Sequence, residues 1–110
     1  MNNLTYNDLK NIWDNQKNLV GKPILINFYA DWWQPCKMFE QLLNEVIPEY
    51  TNRINFYRTN IEQEPKLSEI FEVRGIPYFI MISKDGGISP GGGALNKETL
   101  RYFLEGLLLK

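Results

Sequence analysis

Histidine is absent from the 110 residues, and cysteine occurs once, at Cys36. A lone cysteine cannot close a disulfide within the chain, and without histidine no Cys/His structural zinc site can be assembled. Histidine-ligated haem and histidine-based nucleophile triads fall on the same ground. No apolar run approaches 18 residues, so no membrane span is expected. Charge of one sign is also missing: 12 basic against 13 acidic residues leave a net charge of −1. That balance gives no basic field for nucleic acid and no polybasic patch for a membrane surface. The opening "MNNLTYNDLKNIW" has neither a basic n-region nor an apolar h-region, and a cytoplasmic location is the expectation. No cofactor or metal is expected.

What is present is an ordinary globular composition, 44% hydrophobic and 23% charged. The length suits one domain over residues 1–110, burying about two-thirds of its unfolded surface. No internal repeat or linker interrupts it.

Periodicity orders the elements. Residues 6–19 set Leu9, Ile12, Trp13 and Gln16 at helical spacing, with Asn7 as candidate N-cap and Gly21 and Pro23 as terminators. "PILINFYA" reads as a strand buried on both faces. Residues 34–50 are helical through Met38, Phe39, Leu42, Leu43, Val46, Ile47 and Tyr50; Pro35 fits the first turn and Pro48 marks a kink or early end. In "RINFYRTNI", Ile54, Phe56 and Arg58 alternate with Asn55 and Tyr57, a strand signal. "EPKLSEIFEV", 64–73, predicts a short helix and "YFIMIS", 78–83, a buried strand followed by the turn "KDGG". "ISPGGGA" makes a poor strand, because Pro90 removes a donor. "NKETLRYFLEGLLLK" predicts an amphipathic helix capped by Asn96. The order implies an α/β fold, a central sheet covered by helices on both faces, with a right-handed parallel crossover over 23–60.

The chemistry-bearing stretch is "NFYADWWQPCKMF", at the junction of a buried strand and a helix. It resembles the thioredoxin active site, in which a strand leads into Trp-Cys-Gly-Pro-Cys-Lys. The resemblance continues at "TNIEQEP", "VRGIPYFIMISKDG" and "GALNKETLRYFLEGLL", and so covers nearly the whole chain in order. It implies the thioredoxin fold, a central mixed sheet of four to five strands flanked by helices, and the activity class of thiol–disulfide oxidoreductases. Matched position by position, Trp32 takes the place of the motif's tryptophan, Pro35 its proline and Cys36 its second, resolving cysteine. Trp33 stands where the first, attacking cysteine belongs, and Gln34 where the glycine does. Asn27 occupies the site of a buried aspartate, Arg58 that of a lysine beside it, and Gln41 that of a helix-kinking proline. Pro77, preceded by Ile76, falls at the family's cis-proline, and the stretch from Gly91 to Gly93 reads either as a flexible turn or as a loop flanking the same groove. The "ISPGG" strand is one residue shorter than in the family.

Two of the redox groups are therefore absent. Exchange begins with a thiolate attacking a disulfide sulfur, and an indole is no nucleophile. Asn27 cannot titrate, and is expected to be a hydrogen-bonded polar group inside the strand layer. Cys36 lies in the first turn, where the helix N-terminus favours a thiolate while burial opposes it. It reads either as a small buried hydrophobe or as a reactive monothiol. Trp32 and Trp33 read either as core or as an interaction patch, and at a junction at least one is expected at the surface.

Two functions follow. One is a binding module without dithiol reductase activity, offering Trp32, Trp33, Gln34, Pro35, Ile76, Pro77 and Gly93 to a peptide segment or partner protein by strand-like pairing with the Ile76 backbone. The other is a monothiol oxidoreductase in which Cys36 forms mixed disulfides with glutathione or a client. A third reading takes Trp33 as a substituted residue in a parent that carries Trp-Cys-Gln-Pro-Cys and resembles a working thioredoxin in cell redox homeostasis; Asn27, a second departure in the same mechanism, speaks against it.

Overall fold

The computed structural model describes residues 1–15, 22–92 and 96–110, with the backbone alone for 13–15. Ile24–Tyr29 (β2) is the strand read from "PILINFYA", and all six of its residues are buried. It lies at the centre of a five-stranded sheet of order β1-β3-β2-β4-β5, where β1 is Asn2–Asn3, β3 Asn55–Asn60, β4 Tyr78–Ile82 and β5 Ile88–Gly92. β3 runs parallel to β2, with Asn27 opposite Arg58 and Tyr29 opposite Asn60. β4 runs antiparallel on its other side, with Asn27 opposite Phe79. Period-2 alternation sends Leu25, Asn27 and Tyr29 to one face and Ile24, Ile26 and Phe28 to the other.

Each face meets its own helices. Gln34–Val46 (α2) and Lys97–Leu108 (α4) close one side, where Phe39, Leu43, Val46, Leu100, Leu104 and Leu107 pack with Leu25, Phe79 and Met81. Leu9 of Tyr6–Asn15 (α1) and Leu67 of Pro65–Ile70 (α3) pack on the other side with Ile24, Ile26, Phe28, Ile80 and Ile82. A mixed sheet with helices on both faces is the architecture the element order implied.

Local chemistry sets the helix ends. α1 is capped by Thr5, not Asn7: the Asp8 N–H donates to Thr5 Oγ1 and the Thr5 N–H donates to Asp8 Oδ2, both at 3.0 Å. This is a reciprocal box that satisfies two N-terminal donors. The expected helix over 6–19 is described to Asn15; its continuation and Gly21 lie outside the described residues. α2 ends at Val46, one turn earlier than expected, and passes into a 3-10 turn, Ile47–Glu49, that contains Pro48. α3 covers only Pro65–Ile70 of the expected 64–73, because Glu72 takes a left-handed φ of 52° that no helix continues through. Asn96 caps α4 as expected, its Oδ1 accepting from the Thr99 N–H at 2.8 Å. β1 was not expected at all; two exposed asparagines carry no apolar signal, and the strand exists through its parallel pairing with Tyr57 and Arg58 of β3.

β5 contains the proline that made it look poor. It is an edge strand, where a missing donor is tolerated, and the register slips between Phe79 and Ile80 of its neighbour. Gly91 lies directly over the Phe79 ring: a Cβ there would sit 1.9 Å from Phe79 Cε2. Phe79 cannot yield, since it stacks on Phe39 (5.7 Å, 12°) and meets Phe103 edge-on (5.9 Å, 84°). Gly91→Ala is expected to lower unfolding stability by about 1–3 kcal/mol, measured by urea denaturation; an unchanged midpoint would show that the aromatic stack is not rigid.

Candidate functional site

The site grows from the end of β2. Where the strand stops, Ala30 accepts from the Trp33 N–H (3.3 Å) and Trp33 accepts from the Cys36 N–H (3.0 Å), so the chain turns once and enters α2 directly. Trp33 is the N-cap residue with extended φ/ψ, and its side chain makes no capping bond. Pro35 sits within the first helical positions, where a missing N–H costs nothing. The turn leaves both indoles outside the core: Trp32 is 65% and Trp33 42% exposed. They meet edge to face, with centroids 5.8 Å apart at 66°.

Each indole N–H is nonetheless spoken for. Trp32 Nε1 donates to Glu62 Oε1 at 3.1 Å, and Trp33 Nε1 donates to the carbonyl of Ile76 at 3.1 Å. The second bond ties the start of α2 to the loop before β4, across 43 residues of sequence. The Ile76–Pro77 peptide there is cis, and both residues are partly exposed. Glu62 is held in turn by Asn60, a buried residue at the end of β3. Its Oδ1 accepts from the N–H groups of Glu62 (2.8 Å) and Gln63 (3.3 Å), while its amide donates to Asp31 (3.3 Å). The turn after β2 and the loop after β3 thus share one amide. Gln34 is exposed on the rim; Gly93 lies outside the described residues.

Behind the turn the picture is apolar. Cys36 is 2% exposed and unpaired. Burial pushes its thiol pKa up; a hydrogen bond from the backbone at Ala30 pulls it down, and the Glu40 carboxylate one turn along pushes it up again. Of the two opposed effects at a buried helix start, desolvation prevails over the backbone dipoles. Glu40 itself faces Arg58: the guanidinium Nε lies 2.7 Å from Oε1 as an ion contact, and Nη2 donates to Oε2 at 3.1 Å. The same guanidinium lies over the Tyr29 ring at 4.0 Å.

Asn27 corrects an expectation. It is wholly buried, as expected, but neither its Oδ1 nor its Nδ2 has a hydrogen-bond partner among the described residues. It faces the α2 layer between Phe79 and Arg58, and Arg58 turns instead to Glu40 and Tyr29. Three contributors were missed from sequence: Asp31, Asn60 and Glu62. The signal available for them was positional, polar residues following the carboxyl ends of two adjacent parallel strands, where ligand crevices form.

A central β2, a helix starting directly from its carboxyl end, and a Pro77 loop facing that helix start define a protein of thioredoxin fold. The thioredoxin family model matches residues 6–106, and the chain belongs to the thioredoxin family. Among its relatives are thioredoxin of Acidithiobacillus ferridurans, 34% identical over 80% of this chain and 82% of that one, and thioredoxin of Pseudomonas aeruginosa, 36% identical over 76% and 77%. The fold is shared with chloroplastic thioredoxin z (TM-score 0.83, 19% identity, 100% of this chain and 96% of that one). It is also shared with Fasciola hepatica thioredoxin (TM-score 0.80, 23% identity, 96% and 97%). The chain is therefore a thioredoxin-like domain of a redox family. Among the described residues no helix is long and apolar enough to cross a membrane.

Two measurements test the chemistry of this layer. A buried amide with no partner costs about 1–3 kcal/mol, so Asn27→Leu, of similar volume, is expected to raise unfolding stability by that order in urea. A loss of stability would reveal a partner for the amide. Cys36 in the native protein is expected to react with a thiol reagent far more slowly than after denaturation. Because its pKa is raised, the native rate should keep climbing with pH beyond about 8.5, where an unfolded thiol is half ionised. A native rate equal to the denatured one at pH 7 would show an accessible, activated thiol.

Proposed function

We propose that this chain is a binding module of the thioredoxin family without dithiol reductase activity. Its occupant is an extended peptide segment or a partner protein, seated against Trp32, Trp33, Gln34, Pro35, Ile76 and Pro77. The observation that carries the reading is the Trp33 side chain. It is an indole, 42% exposed, at the helix start where the family resemblance expects the attacking sulfur. With one cysteine in the chain, no second sulfur can release a mixed disulfide from within. What the turn offers instead is aromatic area: two exposed tryptophans side by side, the residue type that most often anchors a partner.

The alternative, a monothiol oxidoreductase exchanging through Cys36 with glutathione or a client, draws no support from a thiol 2% exposed whose ionisation burial opposes. It remains an outcome of the test.

In a turnover assay with insulin as disulfide substrate and dithiothreitol as reductant, the native chain is expected to match the uncatalysed rate. Trp33→Cys, which creates a Cys-Gln-Pro-Cys stretch, is expected to recover part of a reductase activity. Catalysis by the native chain over many cycles would overturn the reading. For the binding half, a partner captured by the native chain is expected to be lost or weakened at least tenfold by Trp33→Ala or Pro77→Ala; retention by both variants would remove the groove from consideration.

A further inference from the structure

We infer that the Trp33 indole is a latch on the Ile76 edge, occupying in the resting state the backbone acceptor that an incoming strand needs and yielding it on binding. The inference rests on the peptide-binding reading above and adds a gate to it. An extended partner that pairs with one residue exchanges two bonds with it, one to its N–H and one from its own N–H to the carbonyl. At Ile76 these two groups are in different states. Its N–H meets no acceptor among the described residues, whereas its carbonyl already accepts from Trp33 Nε1 at 3.1 Å.

The latch is built to open. Trp33 is 42% exposed; its indole N–H makes that one neutral hydrogen bond, and its ring meets Trp32 edge-on. Trp32 is anchored separately through Glu62, and Glu62 through Asn60, so the Trp33 ring can swing without dismantling the wall beside it. A neutral hydrogen bond of this kind is worth about a 2- to 12-fold shift in an equilibrium. The resting groove therefore accepts half of a strand's bonds at once and the other half only in exchange for the indole.

The test uses the full chain, isotopically labelled, native and as Trp33→Phe, which keeps a ring and removes the N–H. The probes are acetylated and amidated pentapeptides Gly-Xaa-Val-Xaa-Gly, with Xaa valine, threonine, arginine, glutamate or phenylalanine, each also made with the central valine N-methylated. Magnetic resonance follows the Ile76 amide and the Trp33 indole N–H during titration. The tightest peptide is expected to shift both signals with one saturation curve. It should bind Trp33→Phe about 2- to 12-fold more tightly than the native chain, and N-methylation should erase that gain. An indole signal that stays put in the saturated native complex overturns the latch and leaves the peptide-binding reading standing, as does equal or weaker binding to Trp33→Phe. If no peptide moves the Ile76 amide in either protein, the latch and the strand-like mode of binding fail together.

Discussion

β2 is buried on every residue and hydrogen-bonded along both sides, so it has no freedom of register or direction. Everything at the site follows from where it must stop. The strand delivers the chain to the carboxyl end of the sheet, and α2 must begin at once to cover the face carrying Leu25 and Phe79. The intervening turn is therefore short and tied at both ends, Ala30 to Trp33 and Trp33 to Cys36. Side chains on it have two destinations only. Cys36, the third residue of the helix, goes under; Trp32 and Trp33, on the turn itself, stay out.

That division decides the chemistry. A helix start favours an anion, while burial opposes one by stripping away its solvent. Cys36 has lost it, and its neighbour Glu40 adds a like charge that Arg58 offsets by pairing with the carboxylate. The exposed position, by contrast, carries no ionisable group at all. The layer beneath the turn is accordingly a structural one: an ion pair, an aromatic face under a guanidinium, and an amide at Asn27 with no partner among the described residues.

Much of this was legible in the residues. Apolar continuity identified β2 and β4 and alternation identified β3; Pro35 marked the first turn of α2, and the short apolar spacing of the last helix fixed α4. The thioredoxin-like motifs located the turn and the Ile76–Pro77 pair. What could not be read were interactions that depend on backbone already folded. β1 has no apolar residue and is defined by its neighbour. Thr5 and Asp8 cap α1 although Asn7 is an equally good capping residue by type, because the box needs two partners three apart. The Trp33 bond to Ile76 joins residues 43 apart and involves a main-chain oxygen, which has no sequence identity to find. Asn27 is the opposite failure: the rule that buried amides are bonded is sound on average, and here Arg58, opposite it on β3, is drawn away by a carboxylate on α2.

The two margins of the sheet differ from its centre in a way that bears on the protein's behaviour in a crowded solution. One margin is two residues long, and the other is interrupted by Pro90, which has no N–H to offer. Neither presents an unbroken ladder on which another chain could grow, so the molecule can carry two bare indoles on its surface while withholding the backbone rows that would turn stickiness into fibres.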